Sequence, residues 1–177
     1  WLYVLGSLGN YSIVDLKNSD EQGQQILVAD GVLFDGNSRL TASAMLLGGI
    51  SLIAASSGGD LSQFFMVRTE RGPKFQKVRD FDTDGLAVVQ IVPEHRRKVF
   101  LTLSNNNLLQ AYSTTAQRRS LDMQLPFNQP VSAASISPRG DILLLATDDG
   151  RLQRWGIDNE HPDISWSALW QKVWYES

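Results

Sequence analysis

The chain repeats itself, and this repeat constrains the fold more than any other feature of the sequence. The segment ISPRGDILLLATDDGRLQRWGID, which begins at Ile136, aligns without a gap on MLLGGISLIAASSGGDLSQFFMV, which begins 91 residues earlier at Met45. The turn glycines Gly59 and Gly150 coincide in this alignment. Two copies in one register predict that the chain folds as a series of similar units.

Two further copies are more divergent. VFLTLSNNNLLQAY aligns on the last copy with an offset of 43. Just before it, Ile91 and Pro93 align on Ile136 and Pro138 with an offset of 45, which implies a two-residue insertion in the turn EHRRK. LYVLGSLGNYSIVDL opens the chain and aligns with an offset of 141. The equivalent positions in the four copies are Tyr11, Leu61, Leu109 and Leu152, at spacings of 50, 48 and 43 residues. A period of about 40 to 50 residues made of short strands is typical of propeller blades.

Each copy contains the strand patterns of a blade. In the last copy VSAASIS alternates as an inner strand, and ILLLAT is an apolar run suited to a strand covered on both faces. DDG supplies a hairpin turn, and RLQRWGI alternates with Leu152 and Trp155 as candidates for inward packing. More polar segments follow the copies as outer strands, namely QQILVAD, PKFQKVRDF, RRSLDMQLPF and ISWSALWQKVW.

These patterns predict an all-β, propeller-like domain over residues 1–177, with about four degenerate blades of four antiparallel strands. The blades fall at approximately 1–35, 36–82, 83–127 and 128–177. The first copy begins in its second strand and lacks an inner strand, so we expect another segment or a second copy of the chain, in a homodimer, to complete this open blade. Four is the low end for a closed propeller, which favours a partial propeller or half of a larger one.

Composition narrows the possible partners. Sixteen Lys and Arg against nineteen Asp and Glu give a net charge of -3, which argues against nucleic acid. The absence of cysteine excludes disulfides and Cys-bound zinc. The uncharged stretch from Ala42 to Gly59 is rich in small residues, and we expect two short strands with turns there rather than a membrane span.

The unit SPRGDILLLATDDGRLQRW resembles a WD-repeat blade, in which Ser-Pro-Asp-Gly precedes an apolar strand, a glycine turn and a strand that ends in Trp. The Gly-His and Trp-Asp dipeptides of that family are absent, since Gly156 follows Trp155. The resemblance implies a propeller fold without the family's usual His and Asp network.

The tail SALWQKVWYES, Ser167 to Ser177, is similar to the segment that precedes the permease core in long, PstC-like permeases of phosphate ABC transporters. This resemblance implies a non-catalytic periplasmic domain of an inner-membrane protein, flanked by transmembrane helices outside this chain. Its partners would be other transporter subunits or a periplasmic phosphate-binding protein, and its role would be protein contact or regulation of phosphate uptake. The alternative is a free WD-like interaction scaffold in the cytoplasm; an enzyme is the third and least supported reading.

One acidic segment suggests a metal site. DFDTDG places Asp80, Asp82 and Asp84 at alternate positions before a glycine, as at the start of a calcium loop. The twelfth position of such a loop needs a bidentate Glu, but Ile91 stands there. A solvated connection between blades is therefore the favoured interpretation, with calcium as the weaker alternative.

The remaining candidates have plainer explanations. His95 and His161 lie in polar turns, Ser137 lacks a nucleophile elbow, and SSGGD reads as a hairpin turn rather than a phosphate loop. The basic cluster 96–98 is interpreted as a solvated turn, with contact to an anion or an acidic partner as the alternative. No catalytic residue and no cofactor is predicted.

Three tryptophans in the tail remain open to two interpretations. Trp166, Trp170 and Trp174 recur every four residues, which suits one helical face as well as alternate positions of a strand. They form either a packed outer strand or a contact with a partner or the membrane interface, where Trp is favoured.

Overall fold

The computed structural model describes residues 1–36, 38–70, 72–94, 98–116 and 118–156, together with the backbone of 172–174. Fifteen strands and no helix lie in this part of the chain. The strands are β1 (Leu2–Leu5), β2 (Asn10–Ser19), β3 (Gln25–Val32), β4 (Leu40–Leu46), β5 (Ser51–Ser56), β6 (Leu61–Thr69), β7 (Gly72–Asp80), β8 (Val88–Glu94), β9 (Val99–Ser104), β10 (Leu108–Ser113), β11 (Arg118–Gln124), β12 (Val131–Ile136), β13 (Ile142–Thr147), β14 (Leu152–Gly156) and β15 (Lys172–Trp174).

The strands form four antiparallel sheets in chain order. The first sheet contains β1 to β3 within the described residues, the second β4 to β7, the third β8 to β11 and the fourth β12 to β15. Within each sheet, every strand pairs with the next one along the chain, as in a meander. The predicted all-β, blade-like architecture is confirmed.

The ladders confirm the 91-residue repeat. In the second sheet β4 and β5 begin with Leu40 opposite Ser56, and a bulge follows. In the fourth sheet β12 and β13 begin with Val131 opposite Thr147, and the same bulge follows. Both residues of the pair are displaced by 91, so sequence alignment and strand register agree.

The third sheet corrects the predicted insertion in EHRRK. Pro93 lies opposite Phe100 in the β8–β9 ladder, whereas Ile136 lies opposite Leu143 in the fourth sheet. Both pairs differ by 43, so the connection has the same length in the two sheets. The offset of 45 was wrong because it matched two prolines that do not occupy equivalent ladder positions.

Buried cores lie between successive sheets. The first and second sheets share one cluster, the second and third share another, and the third and fourth share the last. Representative members are Ile13, Leu52 and Phe64 for the first cluster, Ile53, Phe100 and Tyr112 for the second, and Leu101, Leu143 and Trp155 for the last. Each sheet is therefore held in place by its neighbours.

The sheets differ in how completely their strands are buried. Every residue of β5 and of β9 is buried, but β13 alternates and Leu144 is 39% exposed. The prediction that ILLLAT is covered on both faces was wrong, because in the described part of the chain only the third sheet packs on the fourth. Leu152 is also 41% exposed while Trp155 is buried, since residues three apart on a strand point to opposite faces.

The uncharged segment 42–59 forms β5, most of β4 and two turns, as predicted. Gly59 and Gly150 close the equivalent hairpin turns with φ of 91° and 81°, a conformation that favours glycine. In the portion of the chain that the structure describes, no helix is long and apolar enough to span a membrane.

Candidate binding surfaces between the sheets

The three carboxylates of DFDTDG have different partners. Asp80 accepts a hydrogen bond from Ser62 Oγ at 2.6 Å and forms an ion pair with Lys77 at 3.1 Å. Asp82 Oδ1 accepts one from the backbone N–H of Asp84 at 2.8 Å, which stabilises the local turn. Within the described ranges, no group of three or more His, Cys, Asp or Glu side chains could hold a metal ion.

Asp84 instead links the connection between β7 and β8 to the third sheet through an ion pair. Arg119 Nη1 lies 2.6 Å from Asp84 Oδ2, and Arg119 Nε lies 3.0 Å from Asp122 Oδ2. The hydrogen bond to Asp84 is the main reason that the pKa of Arg119 is raised. Tyr112 adds a second attachment, because its hydroxyl donates to the Asp82 carbonyl at 2.8 Å. The segment that resembled a calcium loop thus links two sheets.

Tyr112 lies in the aromatic cluster between the second and third sheets. Its ring stacks on Phe100 with centroids 5.4 Å apart and meets Phe81 edge-on at 5.6 Å. The same hydroxyl oxygen lies 3.0 Å from Gln110 Oε1, so its single proton is shared between this acceptor and the Asp82 carbonyl. Burial raises the pKa of Tyr112 to about 12, so the phenol is a neutral donor at physiological pH.

Asn107 is a connecting residue that sequence reasoning missed. It has a φ of 61° at the position of Gly59 and Gly150 in the other copies, and Asn tolerates this conformation better than most residues. Its Nδ2 donates to the Gln129 carbonyl at 2.8 Å, and its Oδ1 accepts from the Val131 N–H at 2.9 Å. The signal was present in the alignment, where one Asn replaced a turn glycine.

A cleft opens between the second and third sheets. It has a volume of about 250 Å³ and is lined by Leu47, Gln63, Phe65, Arg79, Lys98, Thr114 and Thr115. We call it the Arg79 cleft. Lys98 belongs to the basic cluster 96–98 of the sequence, while residues 96 and 97 lie outside the described residues. The other lining residues come from distant segments that no local motif connects.

The two terminal sheets expose apolar side chains on their outer faces. In the first sheet Leu2, Val4 and Leu27 are 47%, 51% and 57% exposed. Leu2 lies opposite Val14, which lies opposite Leu27, so these residues share one face. In the fourth sheet Leu144 lies on the corresponding uncovered face. Exposed apolar side chains that share one face of a sheet are candidates for contact with a further sheet or with a protein partner.

The other candidates are turn residues or lie outside the description. Ser137 Oγ donates to Asp141 at 2.6 Å and accepts from the Asp141 and Ile142 N–H groups, which makes it part of a turn. SSGGD forms the β5–β6 hairpin turn, as predicted. Four residues singled out above lie outside the described residues, namely His95, His161, Trp166 and Trp170. Only the backbone of Trp174 is described.

Four successive antiparallel sheets with cores between them define a β-propeller-like protein with WD-like blades. Among solved structures, 663 chains match this fold. One is Sqt1 from Chaetomium thermophilum, with a TM-score of 0.63 and 13% identity over 83% of this chain and 36% of Sqt1. The chain thus spans just over a third of the length of Sqt1, and the likeness shows the fold alone. No protein-family model matches the chain, and no curated protein matches it.

Proposed function

We propose that this chain is a non-catalytic protein-interaction scaffold. The observation that supports the proposal is the apolar face of the first sheet around Leu2, Val4 and Leu27, which no other described residue covers, beside strands that are buried throughout. Shared cores between neighbouring sheets keep such a face and the adjoining loops in fixed positions, which suits a surface that binds proteins. A second copy of the chain is one partner that such a face would accept.

We further infer a specific setting for this scaffold. It works as a periplasmic domain of an inner-membrane, PstC-like permease of a phosphate ABC transporter, between transmembrane helices outside this chain. There it contacts other transporter subunits or a periplasmic phosphate-binding protein and regulates phosphate uptake. The support is the resemblance carried by Ser167–Ser177.

A free cytoplasmic scaffold is the second candidate. It is favoured by the unit SPRGDILLLATDDGRLQRW, which resembles the blades of WD-repeat scaffolds and forms the fourth sheet. The two candidates share the binding role but differ in compartment and in partners.

A topology reporter separates the candidates. Alkaline phosphatase or green fluorescent protein is inserted into the full-length protein at Gln22, in the exposed turn between β2 and β3. The permease proposal expects active phosphatase and no fluorescence, because phosphatase needs the oxidising periplasm to form its disulfides. The reverse pattern would leave the cytoplasmic scaffold as the surviving candidate.

Site-specific cross-linking tests the scaffold itself. A photo-cross-linking amino acid replaces Leu27 on the apolar face, and the matched control replaces Ile50, which is exposed in the turn between β4 and β5. We expect one defined protein to be cross-linked from position 27 and not from position 50. Equal products from both positions would contradict a binding face, and a product that is neither a transporter subunit nor a phosphate-binding protein would contradict the permease assignment.

A further inference from the structure

We propose that the Arg79 cleft binds an oxyanion, either the carboxylate of an acidic side chain or a small inorganic anion. The cleft lies between β6 and β7 of the second sheet and the two loops of the third sheet that contain Lys98 and Thr114. Binding there does not require that the chain act as a scaffold, since the site consists of its own side chains.

The cleft gathers positive charge without a counter-ion. Arg79 and Lys98 both line it, and no carboxylate of the described residues forms an ion pair with either. Arg119, by contrast, has two carboxylate partners close to the same pair of sheets. Two cations at a concave surface, with no carboxylate partner among the described residues, attract an anion.

Thr114 contacts both residues that contribute the positive charge, through the backbone of Lys98 and the side chain of Arg79. Its N–H and its hydroxyl donate to the Lys98 carbonyl at 2.8 Å and 2.9 Å. Its own carbonyl accepts a hydrogen bond from Arg79 Nη1. Thr114 therefore joins the backbone at Lys98 to the guanidinium of Arg79 across the two sheets.

Two buried polar atoms of lining residues have no hydrogen-bond partner in the part of the chain that the structure describes. Arg79 Nε is a donor without an acceptor, and Gln63 Oε1 is an acceptor without a donor. Gln63 is 1% exposed, and its Nε2 is already engaged with Ser51 Oγ at 3.0 Å. Less than 1 Å² of either atom is exposed, so an oxyanion in the cleft would contact the terminal guanidinium nitrogens of Arg79 and the ammonium of Lys98.

The two cationic side chains favour a ligand with an oxyanion. A glutamate or aspartate of a partner offers a carboxylate with a backbone N–H nearby, and hydrogen phosphate offers both oxyanion and hydroxyl. The volume of about 250 Å³ suits groups of this size. Pockets for larger organic ligands start at about 300 Å³.

Calorimetric titration of the 177-residue chain tests the site. The probes are inorganic phosphate, a blocked peptide with one Glu, and the same peptide with Gln in its place, all at one ionic strength. We expect saturable binding of phosphate or of the Glu peptide and none of the Gln peptide. The Glu peptide alone identifies a partner's carboxylate as the source, and phosphate alone identifies a free anion.

Variants localise the binding. Arg79→Gln should weaken it about tenfold or more, because a charge-assisted hydrogen bond is lost. Lys98→Gln, at an exposed position that folding tolerates, should weaken it about threefold. Lys74→Gln is the matched control, since Lys74 is an exposed cation of β7 that does not line the cleft.

The proposal fails if neither phosphate nor the Glu peptide saturates, or if the Gln peptide binds equally well. It also fails if Lys74→Gln weakens binding as much as Lys98→Gln does, since the anion would then respond to net charge alone. Lys98→Gln decides the matter even if Arg79→Gln does not fold.

Discussion

The third and fourth sheets contain the same repeat unit, yet they differ in how completely they are buried. The fourth unit has the better-preserved motif, but β13 leaves Leu144 39% exposed. The third unit is more divergent, but every residue of β9 is buried. The preserved motif therefore specifies turns and strand register, whereas burial depends on having a neighbour on each face.

The packing explains this difference. The third sheet contributes residues such as Phe100 to the core shared with the second sheet, and residues such as Leu101 to the core shared with the fourth. The fourth sheet contributes Leu143 and Trp155 to one core in the described part of the chain. In an array of this kind the stability of a unit comes largely from its interfaces.

Core truncation should show the largest contrast between the two sheets. Phe100→Ala is expected to lower the free energy of unfolding by about 3 to 5 kcal/mol, because it empties a fully buried aromatic site. Leu144→Ala should cost about 1 kcal/mol or less, since much of its side chain already contacts water. Urea denaturation of both variants measures the difference. A large loss for Leu144→Ala would show that another surface covers the outer face in solution.

The turn residue Asn107 gives the next largest effect. Asn107→Ala should cost about 2 to 3 kcal/mol, because it removes hydrogen bonds to the following connection and places alanine at a positive φ. Asn107→Gly should recover the backbone part and remain less stable than the parent chain. Gly150→Ala in the fourth sheet is the matched control, with a loss of about 1 kcal/mol from the backbone alone.

Urea denaturation measures the stability of all three turn variants. Hydrogen exchange of the Val131 amide reports directly on the hydrogen bond that this N–H donates to Asn107. If Asn107→Gly were as stable as the parent chain, the side-chain bonds would add nothing to the third sheet.

Alkaline pH should weaken the interface of the third sheet through Tyr112. Its pKa is about 12 in the folded protein, against about 10 in an unfolded chain. Because the folded state keeps the proton longer, stability is fully present below about pH 10 and is lost as the pH rises towards 12. Absorbance of the phenolate at 295 nm and urea midpoints across this range measure both effects.

Tyr112→Phe is the control for the alkaline effect. It should cost about 1 kcal/mol at neutral pH, through the lost hydrogen bonds, and should reduce the alkaline loss of stability. An unchanged alkaline profile would assign that loss to other tyrosines.

Acidic pH should produce the smallest difference in stability between the two sheets, through carboxylates of the fourth sheet. The hydrogen bond from Thr147 lowers the pKa of Asp149, and the one from Ser137 lowers the pKa of Asp141. Their contribution is present above the unfolded pKa of about 4 and is lost as the pH falls through the lower folded values. Thr147→Ala and Ser137→Ala should each flatten the decline of the urea midpoint below about pH 5.

The third sheet supplies the control for the acid effect. Ser104 occupies the position of Thr147 and donates to Asn106, whose amide does not titrate. Ser104→Ala should therefore shift the urea midpoint equally at all acidic pH values. A pH-dependent shift would contradict this assignment.

The features that sequence predicted correctly are local ones. Glycines at positive φ mark the hairpin turns of Gly59 and Gly150, and alternation of side chains marks the strands. An ungapped repeat extends these local signals to the whole chain. The four sheets, their order and the turn nature of SSGGD follow from such information.

The errors arose where the answer depended on distant residues. The face of the sheet to which Leu152 points, and the ladder partner of Pro93, are set by strand pairing. Whether both faces of ILLLAT are buried depends on which sheets pack beside it. The Arg79 cleft joins five separate segments, and the bonds of Asn107 cross to another sheet. Local patterns cannot specify such contacts because they are made only when the sheets come together.

The β-bulge that follows the first residue pair has a consequence for how such a chain can change in length. It occurs at Leu40, Val88 and Val131, at the same ladder position in three successive sheets. A bulge increases the local twist of a strand pair, so the same local device recurs between the first two strands of three successive sheets. Because side chains alternate between the two faces of a strand, an insertion or deletion of one residue within any of these three hairpins would shift the register beyond the bulge and turn core side chains outward, whereas a change in the connections between sheets would leave the ladders intact.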